Sequence, residues 1–217
     1  MKIGVIGAGP IGATLAEQFL RVGHTVTIAN SRGPETLAEL VESLGAGAQA
    51  STAEGAAEFG ELVAIPIVYG RYQELPVAAL AGKIVIDTTN YWAVRDGDMP
   101  ELTTSGKTQS ELIQEVLPTS LLVKAFNMIY WERLRLWGRP AGNPDRIAIP
   151  VSGDDAKAKR VVQGLIDEIG FDTVDAGSLV KGGKSHEMGT EIFPGTGPAP
   201  TFSRLALKET LGLDKSA

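Results

Sequence analysis

The stretch Lys2–Gly12, KIGVIGAGPIG, decides the fold. Its first element, Lys2–Ile6, is apolar and β-branched and predicts a strand, and the glycine loop opens directly into a helical pattern. In a dinucleotide site, the first glycine makes the tight turn, the second lets backbone N–H groups approach a pyrophosphate, and the third allows close packing of helix on strand. Gly7, Gly9 and Gly12 hold these positions, with Pro10 and Ile11 between them.

The residues that follow complete one βαβ unit. Gly23 ends the helical pattern, and Thr25–Ala29 predicts the second strand. With its glycines in the first loop of such a unit, the chain is predicted to bind a dinucleotide through its backbone and a helix N-terminus. The alternative is a tight strand–helix turn that binds nothing.

The second strand ends at Asn30-Ser31-Arg32, where an acid usually binds both ribose hydroxyls of NAD. A hydroxyl and a guanidinium suit a 2′-phosphate instead, so these three residues predict NADP as the cofactor. The alternative is that Arg32 is a solvated loop arginine, turned away by Gly33-Pro34.

Composition and charge exclude several kinds of site and of binding partner. The chain has 217 residues, a net charge of −6, no cysteine and two histidines, so disulfides, thiolate nucleophiles and cysteine-ligated metals are excluded and no metal site is expected. The acidic balance argues against nucleic-acid and anionic-membrane partners. Because Met1 leads directly into the first strand and no apolar run reaches membrane-spanning length, we expect a cytoplasmic protein with no membrane partner.

Strand and helix patterns alternate along the first two thirds of the chain, which predicts an α/β fold of the Rossmann type, a doubly wound parallel sheet. We expect a dinucleotide-binding domain over residues 1–142 and a small C-terminal α/β lobe over 143–217 that completes the acceptor site. Further predicted strands are Ala46–Ala50, Leu62–Ile67, Lys83–Asp87, Leu121–Phe126, Arg146–Val151 and Phe171–Val174.

The predicted helices are less regular. Leu37–Leu44, Tyr72–Leu80, Asp155–Ile169 and Phe202–Leu211 show helical spacing, and Thr108 with Glu111 predicts a capping box before another helix. Residues Trp131–Pro144 predict a connecting loop. Residues Asp175–Pro200 predict an irregular segment rich in glycine and proline, which either packs on the body of the protein or forms a floppy tail.

In an open α/β sheet, ligands bind beyond the carboxyl ends of the strands. That rule selects Ile65 and Pro66 as an apolar wall, Thr88 and Asn90 as hydrogen-bonding groups, and Ala125 and Asn127 at the end of the next predicted strand. Asp87 either contributes to the crevice or caps the following turn. Lys124, in an otherwise apolar strand, is open to interpretation as a snorkelling edge residue.

The sequence shows no clear acid–base pair. His186 and Asn127 are weak catalytic candidates, and the Tyr-x-x-x-Lys dyad of short-chain dehydrogenases is missing from the stretch where it would be expected. Hydride transfer between nicotinamide and a flavin-like ring needs mainly the alignment of two flat cofactors, so this absence favours a planar acceptor.

Five motifs together resemble the F420-dependent NADP oxidoreductases over residues 1–178. They are Gly7–Gly12, Asn30–Arg32, Ile86–Asn90, Val123–Asn127, and the pair Val151–Asp155 with Asp175–Leu179. The resemblance implies a Rossmann domain with a small C-terminal lobe, a homodimer, and an NADP 2′-phosphate near Ser31 and Arg32. It also implies coenzyme F420, or a flavin, as co-substrate and hydride acceptor.

The chain departs from the family pattern after Leu179, where Val180–Lys184 and a Gly/Pro-rich loop follow. Two alternatives therefore stay open beside the planar acceptor. One is NADPH-dependent reduction of a small carbonyl or imine, and the other is a redox sensor that binds NADP without turnover.

Overall fold

Eight strands form one continuous sheet in the computed structural model, which describes residues 1–195 and 199–213. The strands, in chain order, are β1 (Lys2–Ile6), β2 (Thr25–Ala29), β3 (Ala48–Ser51), β4 (Leu62–Ile65), β5 (Ile84–Asp87), β6 (Leu121–Lys124), β7 (Ala148–Gly153) and β8 (Asp172–Gly177). Across the sheet they lie in the order β3-β2-β1-β4-β5-β6-β7-β8.

Helices cover both faces of this sheet. In the described part of the chain they are α1 (Pro10–Arg21), α2 (Ala38–Leu44), α3 (Ala53–Phe59), α4 (Val77–Leu80), α5 (Ala93–Asp96), α6 (Glu101–Thr104), α7 (Gln109–Val116), α8 (Trp131–Leu136), α9 (Ala156–Glu168), α10 (Lys181–Ser185) and α11 (Arg204–Thr210). Two 3-10 turns, Pro34–Leu37 and Tyr69–Glu74, add to them.

The first six strands are parallel, and β4 pairs with β1 on the side opposite to β2. The order of the strands therefore reverses between β1 and β4, which is the switch point where such sheets open a crevice. Strand β7 runs antiparallel to β6, with Val123 opposite Gly153, and β8 is parallel to β7. The predicted Rossmann-type α/β fold is confirmed.

Burial on both faces explains why the central strands are almost wholly apolar. Ile3 and Val5 of β1 pack with Leu15 and Phe19 of α1 on one face. On the other face, Ile65 packs in a second cluster with residues of α7. Helix α7 begins at the predicted capping box, in which Thr108 Oγ1 accepts from the Glu111 N–H at 3.2 Å.

Two predicted elements were wrong. The helix expected over Tyr72–Leu80 is broken, because Pro76 disfavours helical backbone at Leu75, whose ψ is 142°. The loop expected over Trp131–Pro144 begins instead with α8, which packs on α1 through the fully buried Leu134. Six residues give too short a pattern to show helical periodicity.

Two strands end inside the ranges predicted for them. Strand β4 stops at Ile65, directly before Pro66, as expected for a proline that has no N–H to donate to the ladder and so marks where the sheet ends. Strand β6 stops at Lys124, and Phe126 adopts a left-handed backbone with φ of 64°. The chain therefore turns out of the sheet at both places and forms the floor of the crevice.

The C-terminal residues extend the same sheet through β7 and β8. Within the predicted irregular segment, β8 runs to Gly177, α10 follows, and the buried Ile192 and Phe193 pack on the body of the protein. Residues 196–198 of that segment lie outside the described residues. The predicted division at residue 142 stays a prediction.

No helix within the described ranges has the length and apolar character needed to cross a bilayer.

Candidate functional site

A groove lies over the carboxyl ends of β1, β4, β5 and β6. It consists of two cavities, one of about 400 Å³ on the side of β2 and one of about 460 Å³ on the side of β6. Both cavities are lined by Gly9 and by Pro66–Val68, so they meet at the glycine loop.

The glycine loop shapes the middle of the groove. Gly7 has φ of 125°, and a Cβ there would lie 2.4 Å from the Pro66 carbonyl oxygen. A Cβ on Gly12 would lie 1.8 Å from the Gly7 carbonyl oxygen, because α1 packs tightly on the loop. A Cβ on Gly9 would meet no atom within 4 Å. Gly7 and Gly12 are therefore required by packing, whereas Gly9 borders open space.

The beginning of α1 faces that open space. Gly9 is the N-cap residue and makes no side-chain capping bond, and Pro10 occupies the first turn. The N–H groups of a helix's first turn have no partner within the helix, and they carry a partial positive charge. Open space beside a twelve-residue helix N-terminus is suited to a phosphate group.

The smaller cavity is bordered by Asn30, Ser31 and Arg32. Asn30 fixes the loop, because its Oδ1 accepts from the Arg32 backbone N–H at 2.9 Å and its Nδ2 donates to Thr36 Oγ1 at 2.8 Å. The Ser31 and Arg32 side chains are exposed. The Ser31 hydroxyl and the Arg32 guanidinium, which are predicted to select NADP, are therefore exposed at the rim of the cavity.

The lining of this cavity also includes a second arginine, which the sequence reasoning missed. Arg71 lies in the turn after β4 and pairs with Glu74, with Arg71 Nε 2.9 Å from Glu74 Oε1. The pairing raises the pKa of Arg71 and lowers that of Glu74. The sequence could have indicated Arg71, because it follows the carboxyl end of β4, the strand next to β1.

The larger cavity is lined by neutral hydrogen-bonding groups and aromatic side chains. The polar lining comes from Thr88, Asn90 and Asn127. Its apolar lining includes Phe126, which lies in the loop expected to border the crevice, and Met128, Ile129, Tyr130, Trp131 and Phe193, which were not predicted. Thr88 Oγ1 is buried and makes no hydrogen bond with any described residue. A buried hydroxyl without a partner is costly, so this oxygen is placed to bond to a ligand.

A buried charge pair lies beneath the larger cavity. Lys124 Nζ is 3.3 Å from Asp87 Oδ2, and both side chains are fully buried, so the interpretation of Lys124 as a snorkelling residue was wrong. Asp87 also accepts from Ser110 Oγ at 2.6 Å and Thr89 Oγ1 at 2.6 Å. Burial opposes ionisation of Asp87, but Lys124 and these hydrogen bonds lower its pKa. Asp87 therefore holds neighbouring loops together rather than lining the groove.

His186 does not line either cavity. Its side chain is fully buried, with Nε2 3.1 Å from Ser152 Oγ and Nδ1 3.3 Å from Asn127 Oδ1. Burial, together with the Lys124 charge, lowers the pKa of His186 to about 3. The ring is therefore neutral near pH 7 and has no direct path to a substrate in the groove. Of the two catalytic candidates, Asn127 alone reaches the cavity.

Most of the other predicted binding residues line the groove. They are Gly7, Gly9, Pro10, Ile11, Asn30, Ser31, Arg32, Pro66, Thr88 and Asn90. Gly12, Ile65 and Ala125 do not, since Gly12 packs against the loop and the other two are fully buried in the core. Their binding roles stay predictions. Within residues 1–195 and 199–213, no cluster of three or more histidine or acidic side chains forms a metal site.

Comparison with known proteins identifies this architecture. Residues 2–91 match the family described as NADP oxidoreductase, coenzyme F420-dependent. A hypothetical protein of Sinorhizobium meliloti superposes with a TM-score of 0.77 and 27% identity, covering 94% of this chain and 96% of that one. A candidate F420-dependent NADP-reductase of Arthrobacter sp. FB24 has a TM-score of 0.73 and 28% identity, covering 86% and 89%.

A curated relative is the glycerol-3-phosphate dehydrogenase [NAD(P)+] of Trichormus variabilis (strain ATCC 29413 / PCC 7937). It is 26% identical over 193 residues, which are 82% of this chain and 60% of the relative. The chain thus spans about three fifths of the length of that relative.

Proposed function

From the match of residues 2–91 to the F420-dependent NADP oxidoreductases, we propose that the chain is an NADP-dependent oxidoreductase that passes hydride between NADP(H) and a planar acceptor. Coenzyme F420 is the first candidate for the acceptor, and a flavin is the second. The family description supports this order, and so does the chemistry of the groove.

The observation that carries the proposal is the junction of two cavities at Gly9. A dinucleotide consists of two nucleotides joined by a pyrophosphate, so one molecule fills both cavities with its phosphates at the glycine loop. The adenosine half, with its 2′-phosphate, belongs beside Ser31 and Arg32. The nicotinamide half belongs beside Thr88, Asn90 and Asn127. The open space at Gly9 and the unpartnered Thr88 hydroxyl fit such a ligand.

When bound, NADPH supplies the hydride, and the residues of this chain orient the reactants and exclude water. Asn90 and Asn127 offer amide groups, and the ring systems of Tyr130, Trp131 and Phe193 exclude water from one wall. The charged side chain that borders this cavity among the described residues is Arg95, which pairs with Asp96 at 2.8 Å. Since the described residues place no histidine or carboxylate at the lining, the rate depends on alignment of the two reactants.

The aromatic wall favours a flat acceptor. Tyr130 and Trp131 lie with ring centroids 6.1 Å apart, and both border the cavity. Flat rings bind on aromatic side chains with about 0.5–1.5 kcal/mol beyond the area that they bury. A ring laid on this wall faces the part of the groove that we assign to nicotinamide.

The experiment is stopped-flow loss of NADPH absorbance with F420, free flavins, quinones, small carbonyls and imines. We expect turnover with a ring acceptor, reduced about two- to tenfold by Trp131→Leu. The control is Trp137→Leu, which removes a tryptophan next to α8 that does not border the cavity. Turnover of carbonyls or imines alone contradicts the planar acceptor and supports the small-substrate reductase. Tight NADPH binding with no acceptor reduced supports the redox sensor. The homodimer stays a prediction.

A further inference from the structure

The larger cavity is connected to the C-terminal segment by a chain of buried and partly buried hydrogen bonds. Asn127 Nδ2 donates to Asn90 Oδ1 at 2.9 Å and to the His186 carbonyl at 2.8 Å. Asn90 Nδ2 donates to the Asn127 carbonyl at 2.7 Å. The two asparagines are therefore locked together, and His186 and Ser152 continue the chain away from the groove.

These bonds assign the tautomer of His186. Because the Asn127 amide nitrogen donates in two directions, its Oδ1 is the atom left to accept, and it faces His186 Nδ1 at 3.3 Å. Nδ1 therefore carries the proton. Nε2 then accepts from the Ser152 hydroxyl at 3.1 Å. A fully buried ring with both nitrogens bonded holds one orientation, since any rotation would leave a polar atom without a partner.

We infer that His186 is a positioning residue for the nicotinamide end of the groove: it acts through Asn127 to fix the Asn127–Asn90 pair, and Ser152 fixes His186. This inference rests on the proposed function for its ligand. Through His186, the C-terminal segment, where the chain departs from the family pattern, then helps to position the groups that bind nicotinamide.

Two substitutions of His186 each keep one hydrogen bond of the imidazole ring and remove the other. His186→Asn places an amide nitrogen near the position of Nδ1, so the bond to Asn127 is kept and the bond to Ser152 is lost. His186→Gln reaches the position of Nε2, so Ser152 is contacted and Asn127 loses its donor. Both variants remove similar volume from the same buried site, and a purely structural role predicts similar effects for the two.

The readout is the ratio of the affinities for NADPH and for 2′-phospho-ADP-ribose, which lacks nicotinamide, measured by calorimetry. We expect His186→Asn to keep the ratio within about twofold and His186→Gln to lower it at least about fivefold. His24→Ala is the control, because that histidine contacts Glu168 and Met1 and borders neither cavity. Equal ratios for the two His186 variants overturn the inference.

A second variant keeps the test decisive if His186→Gln does not fold. Ser152→Ala keeps the imidazole ring but removes the hydrogen bond at Nε2 that holds the orientation of the ring. The shorter side chain of His186→Asn has no group at that position and does not depend on this bond, so we expect a loss of about two- to threefold in the same ratio for Ser152→Ala alone. An unchanged ratio in Ser152→Ala contradicts the inference. If the unsubstituted protein binds NADPH and 2′-phospho-ADP-ribose equally, the proposed placement of nicotinamide in the larger cavity is wrong. If the affinity ratio changes as expected but no acceptor is reduced, the proposed hydride transfer is wrong and the positioning role of His186 is kept.

Discussion

Arg32 is the side chain that we propose to select NADP, and the fold does not depend on its guanidinium. It is exposed, and the bond that its backbone makes to Asn30 does not depend on its guanidinium. A 2′-phosphate beside it gains a charge-assisted hydrogen bond that the ribose hydroxyl of NADH cannot match. We expect NADPH to bind at least about tenfold more tightly than NADH, which corresponds to about 1.4 kcal/mol.

The measurement is titration of both dinucleotides by fluorescence. Arg32→Ala is expected to remove most of the preference and to leave NADH binding nearly unchanged. Arg160→Ala serves as the control, since Arg160 is exposed on α9, away from the groove. Equal affinities for the two dinucleotides in the unsubstituted protein would refute the NADP assignment.

The loop between β1 and α1 shows how glycines of one motif serve different purposes. Gly9→Ala adds a methyl group where no described atom lies within 4 Å, so the fold is expected to tolerate it, with a change in Tm of about 2 °C or less. The same methyl group occupies the space assigned to the pyrophosphate. Both dinucleotides are expected to bind at least about tenfold more weakly.

Gly12→Ala is the matched variant on α1. Its methyl group collides with the Gly7 carbonyl, so the expected result is a lower Tm, by about 4–8 °C or more, rather than a selective loss of binding. Calorimetry and NADPH titration of the two variants separate the effects. Undiminished binding in folded Gly9→Ala protein would mean that the loop is only a structural turn.

At the scale of the whole molecule, the buried His186 links stability to pH. Its pKa is about 6.5 in an unfolded chain and is lowered to about 3 in the folded protein by burial and by Lys124, with Asp87 acting in the opposite direction. Between these values the unfolded state binds more protons, so stability falls as the pH falls below about 6.5. The loss is up to about 1.4 kcal/mol per pH unit, or about 2 kcal/mol at pH 5.

Urea unfolding at pH 7 and pH 5 measures this loss. His186→Asn, which cannot titrate, is expected to remove the slope between these pH values, whereas His24→Ala is expected to keep it. Asp87, whose pKa is lowered in the folded state, contributes stability above its unfolded pKa of about 3.8 and loses it only at lower pH. A parent protein equally stable at both pH values would contradict the buried neutral histidine.

Local chemistry explains which features the sequence could predict. The strand–glycine–helix order of β1 and α1, the Ser31–Arg32 pair and the Thr108–Glu111 capping box depend on residues within a few positions of one another. Such interactions are specified by spacing and residue type alone. The end of β6 and the six-residue α8 were predicted less well, because the turn at Phe126 and the packing of Leu134 depend on neighbours elsewhere in the chain.

By itself, the sequence determined the α/β class, the position of the groove at the carboxyl ends of the strands, and the groups that we propose to select NADP. The tertiary structure alone decided that Lys124 pairs with Asp87, 37 residues away, and that His186 bonds to Asn127, 59 residues away. It also brought Arg71 into the lining of the same cavity as Arg32. The physical reason is that burial and hydrogen-bond partners are set by which elements pack together, and no short stretch of sequence contains that information.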